Sequence, residues 1–323
     1  LLLLRSARAA LAAFVVAWAT ANAGLARDLA FVTNQSSDDV SVVDVAAMQV
    51  KTTIKVGGNP AGVVVSPDGR RAYVTSPEGK YLTVLDTMSA EVVKRVHLSG
   101  GPLGVAIHPD GSHVYVADWY EHQVFVIDAD NGDIKAALKT GKSPSGLAVS
   151  PDGSLLASAD RDSNQVTLFD AHSHEKVATV GTGERPFGIT FTPDGNRLMT
   201  ADVGSNSLTV IDIRKREAVG TVKVGDHPYA VAFAKGKGFA TNQYGGTVTV
   251  FDEATLQVLA TLETGEYPEG IAVASDGRSV LVANWFDNTL SRIDAETLEV
   301  TTSVTVGDGP RAFGNFIASV ADR

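Results

Sequence analysis

The chain repeats its own punctuation seven times. A proline follows a polar or glycine-rich junction at Pro60, Pro102, Pro144, Pro186, Pro228, Pro268 and Pro310, at intervals of 42, 42, 42, 42, 40 and 42 residues. An aspartate closing a β-branched run keeps the same beat, at Asp44, Asp86, Asp128, Asp170, Asp212, Asp252 and Asp294. Two unrelated markers in one rhythm specify a repeat architecture. Single units of this kind cannot bury their own faces, so they stack into one body.

The unit that starts at Pro60 shows what is stacked. Ala61–Ser66 reads as a short strand ended by the turn signal Pro67-Asp68-Gly69, and Arg71–Ser76 as a second strand. Leu82–Asp86 is a third and Glu91–Leu98 a fourth. Each run is rich in Val, Ile, Thr and Tyr and too short for a helix. Four strands repeated seven times predict an all-β, seven-bladed β-propeller with four antiparallel strands per blade. Closure is expected at the ends. Ala30–Asn34, Val40–Val45 and Lys51–Val56 form three strands without a first, and Ala312–Ala318 follows the last proline without successors. One C-terminal strand plus three N-terminal strands therefore complete the last blade, removing an edge that would otherwise template aggregation.

Composition narrows the chemistry. The chain has no cysteine, which excludes disulfides, thiolate metal sites, a covalently attached haem and a cysteine nucleophile. Residues 1–23 read as an export signal. Arg5 and Arg8 precede the 13-residue apolar run Ala9–Ala21, and Ala21-Asn22-Ala23 is a small-x-small cleavage site. That run is shorter than the roughly 20 residues a membrane-spanning helix needs. The expectation is a periplasmic protein cleaved near Ala23, with a single propeller domain over 24–323 and no membrane span. Without the two leader arginines the chain holds 25 basic against 37 acidic side chains, a net −12. With no basic stripe, nucleic acid is excluded as a partner.

Phe31-Val32-Thr33-Asn34, Tyr73-Val74-Thr75-Ser76 and the Ser-Pro-Asp-Gly turns resemble the YVTN family of β-propeller repeats, across nearly all of the chain after residue 23. Size, leader and unit number most resemble the exported propellers associated with pyrroloquinoline-quinone-dependent alcohol catabolism. Similar repeats occur in propellers related to the haem d1-binding domain. The resemblance implies the fold and leaves the cofactor open.

Residues needed once per blade are architecture, so function is sought where the repeats differ. Strand parity puts the Gly-Pro junctions and the loops between second and third strands on one face, the default binding surface of a rigid scaffold. That face carries Asp118-Trp119-Tyr120-Glu121-His122 in the third unit and Asn284-Trp285-Phe286-Asp287-Asn288 in the seventh. Flanking the prolines are Arg185 and Phe187, His227 and Tyr229, Tyr267 and Glu269, and Arg311, which start the innermost strands and should rim the central channel. The candidate ligand- or partner-binding residues are thus Trp119, Tyr120, His122, Arg185, His227, Tyr229, Glu269, Trp285 and Arg311. Arginine with tyrosine suits an anionic or aromatic ligand. His122 and His227 lack a third ligand for a metal site. His172 and His174 are expected to be solvated on the opposite face, and Arg292, where other blades have Val or Leu, is expected to find an acidic neighbour on an adjacent blade.

The chain therefore reads as a monomeric, non-catalytic exported scaffold that binds a protein partner or small ligand on its variable face. The alternatives are a propeller lactonase or lyase, with Glu269 and His227 as acid and base, and a protein holding haem or another cofactor non-covalently through His122 or His227.

Overall fold

The computed structural model describes residues 27–320, so the expected export signal lies outside the described residues. Seven four-stranded antiparallel sheets are arranged as a propeller. Blade 2 runs from the short inner strand Val63–Val65 through Arg71–Ser76 and Tyr81–Asp86 to the outer strand Glu91–His97. Blades 3 to 7 begin at Pro102, Pro144, Pro186, Pro228 and Pro268. Blade 1 joins the termini: Ile317–Val320 pairs with Arg27–Asn34, followed by Asp39–Asp44 and Gln49–Lys55. Among the described residues no helix is long and apolar enough to cross a membrane.

Burial follows strand position. The second and third strands are apolar on both faces and buried between blades, whereas the fourth strands are exposed along most of their length. The motif residues hold blades together. Thr33 Oγ1 donates to the Ala61 carbonyl and Thr75 Oγ1 to that of Leu103, both at 2.6 Å and each in the next blade. The third-strand aspartates cap turns. Asp86 accepts the Met88 and Ser89 amides at 3.0 and 2.9 Å, and Asp128, Asp170, Asp252 and Asp294 repeat the pattern. Those amide bonds hold the carboxyls of Asp86 and Asp128 below the usual carboxylate range. The 40-residue interval in blade 6 is a tighter hairpin. Lys235 and Gly236 both have positive φ, as a two-residue turn between strands requires, and Ala234 pairs directly with Lys237.

Two expectations are corrected. The closing strand begins at Ile317, not Ala312. In blade 7, Val273 lies five residues after Pro268 and faces Val280; in blade 1, Ile317 lies seven after Pro310 and faces the equivalent Ala30. The two extra residues form a kink at Gly314, with φ at 118°. There the backbone turns sideways, and the Phe313 and Asn315 carbonyls accept the Val63 and Val65 amides of blade 2 at 3.1 and 2.9 Å. Arg292 has no carboxylate within ion-pairing distance among the described residues. It donates to Thr301 Oγ1 at 3.1 Å and, across to blade 1, to the Val45 carbonyl at 3.3 Å. A carbonyl suffices because the side chain is only half-buried and keeps contact with water.

Candidate functional site

The residues following the junction prolines converge on the channel mouth of the variable face. Ala61, Leu103, Phe187 and Tyr229 form one buried cluster with Phe313, which the kinked segment before the closing strand supplies. Phe187 and Tyr229 rings lie 4.2 Å apart, and Phe313 meets Phe187 edge-on at 5.7 Å. Trp119 leans in from blade 3, 6.5 Å from Phe187. These rings plug the channel. The channel's open part is a cavity of about 690 Å³ that runs from Gly314 and Phe313 past Ala106, Ala148 and Thr190 to the proline turns of the opposite face.

Two arginines bound this aromatic floor. Arg161 lies over Trp119 at 5.6 Å, and Arg311 lies over Tyr229 and Phe313 at 5.7 and 5.6 Å. Arg311 donates through Nε to Glu269 Oε2 at 2.7 Å and through Nη2 to the Tyr229 hydroxyl. Gln243 Nε2 donates to the other Glu269 oxygen at 2.6 Å. Burial pushes the Glu269 carboxyl up, and Arg311 opposes that shift. Burial likewise raises the Tyr229 phenol far above its ordinary range, so it is a neutral hydroxyl at every physiological pH. Burial works most strongly against the Arg311 charge, but Glu269 and the Tyr229 hydroxyl together outweigh it and the guanidinium stays protonated. Glu269 and Arg311 therefore form a salt bridge that is committed to itself, with side-chain exposures of 5% and 17%.

The histidines separate. His227 Nδ1 is held by Asp226 Oδ1 at 2.8 Å, and its ring stacks on Tyr244 at 3.8 Å, while Nε2 carries no hydrogen bond among the described residues. A carboxylate on one ring nitrogen with the other left open is the arrangement that orients a metal-ligating imidazole. His122 has a different task. Its Nδ1 accepts the Ser143 amide at 3.1 Å, as the Oδ1 atoms of Asn164, Asn206 and Asn288 accept the junction amides of Arg185, His227 and Gly309. The two tryptophans also part. Trp285 belongs to a second aromatic group with Tyr267 and Phe286, Tyr120 is exposed over Gly101, and Arg185 is exposed beside Asp162. The structure thus brings Trp119, Tyr229, Glu269 and Arg311 together at the mouth. On the opposite face His172 is exposed near His108, and His174 is half-buried against His113 at 6.0 Å. Burial and the His113 charge pull the pKa of His174 down.

A row of buried carboxyls accompanies the mouth. Where blades 1, 6 and 7 end their second strands in Asn34, Asn242 and Asn284, blades 3, 4 and 5 have Asp118, Asp160 and Asp202, all fully buried. Burial pushes the Asp202 carboxyl up to about 6 and raises that of Asp160. These aspartates are visible in the repeat as departures from asparagine, although their burial is not. Phe187 is expected at the rim from its place after a junction proline, whereas Phe313 could be found only through the packing. Backbone conformation marks the same face. Arg185, His227 and Tyr267 each precede a junction proline with φ between 54° and 56°, a left-handed conformation that blade 1 assigns to Gly309. Asn59 and Ser143 take the same conformation at the equivalent junctions, so it belongs to the repeat, and bulky side chains there cost about 1–2 kcal/mol each.

The fold and its mouth define a seven-bladed propeller whose channel is closed on the variable face by an aromatic cluster flanked by two arginines. Comparison with known proteins defines it further. The cytochrome D1 heme domain family model matches residues 25–233, and the chain belongs to that family. No curated protein sequence matches it. Among solved structures it is similar to hydrazine synthase of Kuenenia stuttgartiensis, with TM-score 0.70 and 21% identity over 79% of this chain and 89% of that one. It is also similar to a functionally unknown protein of Desulfotomaculum acetoxidans, with TM-score 0.79 and 18% identity over 92% and 100% of the two chains. A third similar structure is the dihydro-heme d1 dehydrogenase NirN in complex with DHE, with TM-score 0.68 and 17% identity over 88% and 74%. At these identities the structural likenesses establish the fold alone.

Proposed function

We propose that this protein is an exported, non-catalytic propeller that holds a haem-type tetrapyrrole non-covalently at the channel mouth of its variable face. The observation that carries the reading is the floor of Trp119, Phe187, Tyr229 and Phe313 between Arg161 and Arg311. Flat rings suit a flat macrocycle, and the Arg161 guanidinium over Trp119 suits one of its carboxylates, Arg311 being taken up by Glu269. His227, fixed through Nδ1 by Asp226, is the residue that would reach an iron, and the absence of cysteine requires attachment without thioether bonds. Membership of the cytochrome D1 heme domain family supports the same ligand class, as does the haem-related name of NirN. When bound, such a group supplies electron exchange or ligand binding at its iron; the chain's own residues orient it and keep water from one of its faces. The resemblance to propellers of quinone-dependent alcohol oxidation is compatible with an accessory redox role outside the cytoplasm.

The test is titration of the purified protein with iron protoporphyrin IX, read as a shift of the Soret band. One equivalent is expected to bind, and His227→Ala and Arg161→Leu are each expected to weaken binding at least about tenfold, equivalent to about 1.4 kcal/mol. No saturable spectral change, or binding indifferent to both variants and to Trp119→Ala, overturns the proposal.

A further inference from the structure

Beside the mouth, on blades 6 and 7, lies a second surface of which the tetrapyrrole reading uses His227 alone. Tyr244 stacks on His227, then meets Tyr267 at 5.4 Å, and Tyr267 meets Phe286 at 5.7 Å and Trp285 at 6.3 Å. The rings form one continuous ridge across junctions and loops of neighbouring blades. They are not core. Tyr244 is 54%, Phe286 60% and Tyr267 36% exposed, although large aromatics in water cost free energy.

The ridge has a charge as well as a shape. The junctions and loops that carry it and continue it to blade 1 contribute exposed Asp226, Glu266, Asp287, Asp308 and Asp38, and no lysine or arginine. Two cations stand at its margin: Lys55, taken up by Asp39 at 2.8 Å, and exposed Lys223, which ends the strand before Asp226. Tyr267 and His227 hold their rings in this row from the strained left-handed backbone described above. Aromatic faces set among carboxylates form a cation-binding surface, because a guanidinium or ammonium can stack on a ring while pairing with an acid beside it. An anionic membrane or nucleic acid is repelled by the same charges.

We propose that this acidic aromatic crescent docks a partner protein through an arginine- or lysine-bearing segment, whose cations stack on Tyr244, Tyr267 and Phe286 and pair with Glu266, Asp287 and Asp308. The rings set affinity at the centre, and the surrounding carboxylates set approach and orientation. The two readings share the His227 ring, on which Tyr244 stacks, so docking is tested without added haem.

The experiment is fluorescence anisotropy of a labelled, alternating Arg-Gly peptide titrated with the full chain without added haem. An uncharged Ser-Gly peptide of equal length serves as reference, and analytical ultracentrifugation is run in parallel. Binding of the Arg-Gly peptide is expected to weaken at least about tenfold between low salt and about 0.5 M salt, where the Debye length is only a few ångströms. The charge reversal Glu266→Lys with Asp308→Lys, and separately Phe286→Ser with Tyr244→Ser, are each expected to weaken it to a similar degree. All four side chains are exposed at loop positions, and unchanged circular dichroism and melting confirm folding. Equal binding of the Ser-Gly peptide, indifference to both double variants, or concentration-dependent self-association that the variants abolish overturns the proposal.

Discussion

Asp202 is a carboxyl in a place where three other blades have an amide, and replacing it with asparagine should stabilise the protein at neutral pH. Asp202 is fully buried, accepts hydroxyl bonds from Thr200 at 2.7 Å and Thr209 at 2.6 Å, and has no cation beside it. Burial pushes its pKa up to about 6 from 3.8. Between those values the folded chain binds a proton that the unfolded chain has released. The contribution of this group to stability is therefore complete below about pH 3.8 and is lost as pH rises through about 6. At about 1.4 kcal/mol per tenfold change in proton affinity, the penalty at pH 7.5 is about 3 kcal/mol, and about 1 kcal/mol of it remains at pH 4.5. Asparagine avoids the penalty, and its hydrogen bonds already have a template. Asn242 donates to Thr247 and Thr249 at 3.0 and 2.9 Å and accepts the Gly225 amide at 3.0 Å. Ser207 and Thr209 occupy the matching sites in blade 5, because Asp202 faces Ser207 as Asn242 faces Thr247. Asp202→Asn should raise Tm by about 3–6 °C at pH 7.5, taking roughly 2 °C per kcal/mol for a chain of this size, and by about a third as much at pH 4.5. Thermal denaturation followed by circular dichroism at both pH values measures it. An equal gain at the two pH values, or a loss at pH 7.5, refutes the argument that a buried charge is the cost.

Two further substitutions probe the mouth and its backbone. Glu269→Ala leaves the Arg311 charge without its partner and should cost about 3–5 kcal/mol in chemical denaturation, whereas Glu269→Leu with Arg311→Met should recover most of that loss; a double variant as unstable as the single would show that the pair is not the issue. Tyr267→Gly should be more stable than Tyr267→Ala by about 1 kcal/mol, the reverse of most positions, because Tyr267 has φ of 56°; the ordinary order, with alanine ahead, would contradict the strain assigned to this junction.

The repeat made the blades legible because its markers are local. A Pro-Asp-Gly turn or a capping aspartate works through bonds two or three residues away, so its spacing alone defines the hairpins. Even the shortened fifth interval could be read, since Lys235-Gly236 offers the two residues a tight hairpin needs. The closing strand was less legible for the opposite reason. Its first residues follow the proline as in other units, but Gly314 bends them toward blade 2, and the bonds that reward the bend come from Val63 and Val65, some 250 residues earlier in the chain. No local pattern announces such a partner.

The same distinction explains what the site concealed. In the sequence His122 and His227 look alike, each a histidine near the variable face. Their roles diverge because one occupies the left-handed loop position that clasps the next junction amide, where three other blades use asparagine, and the other stands at a junction with its outer nitrogen open. Position within the repeat, rather than residue type, separates scaffold from ligand-facing chemistry. It also accounts for Arg311 and Phe313. The unit closed by both termini carries an extra two residues ahead of its inner strand, and that departure delivers an aromatic ring to the plug beside the arginine that pairs with Glu269. The segment that leads into the strand sealing the ring of blades thus also completes the mouth. A variant that loosens closure should disturb ligand binding before it unfolds the outer blades, because the mouth depends on Arg311 and Phe313 whereas blades 3 to 6 are built from contiguous hairpins.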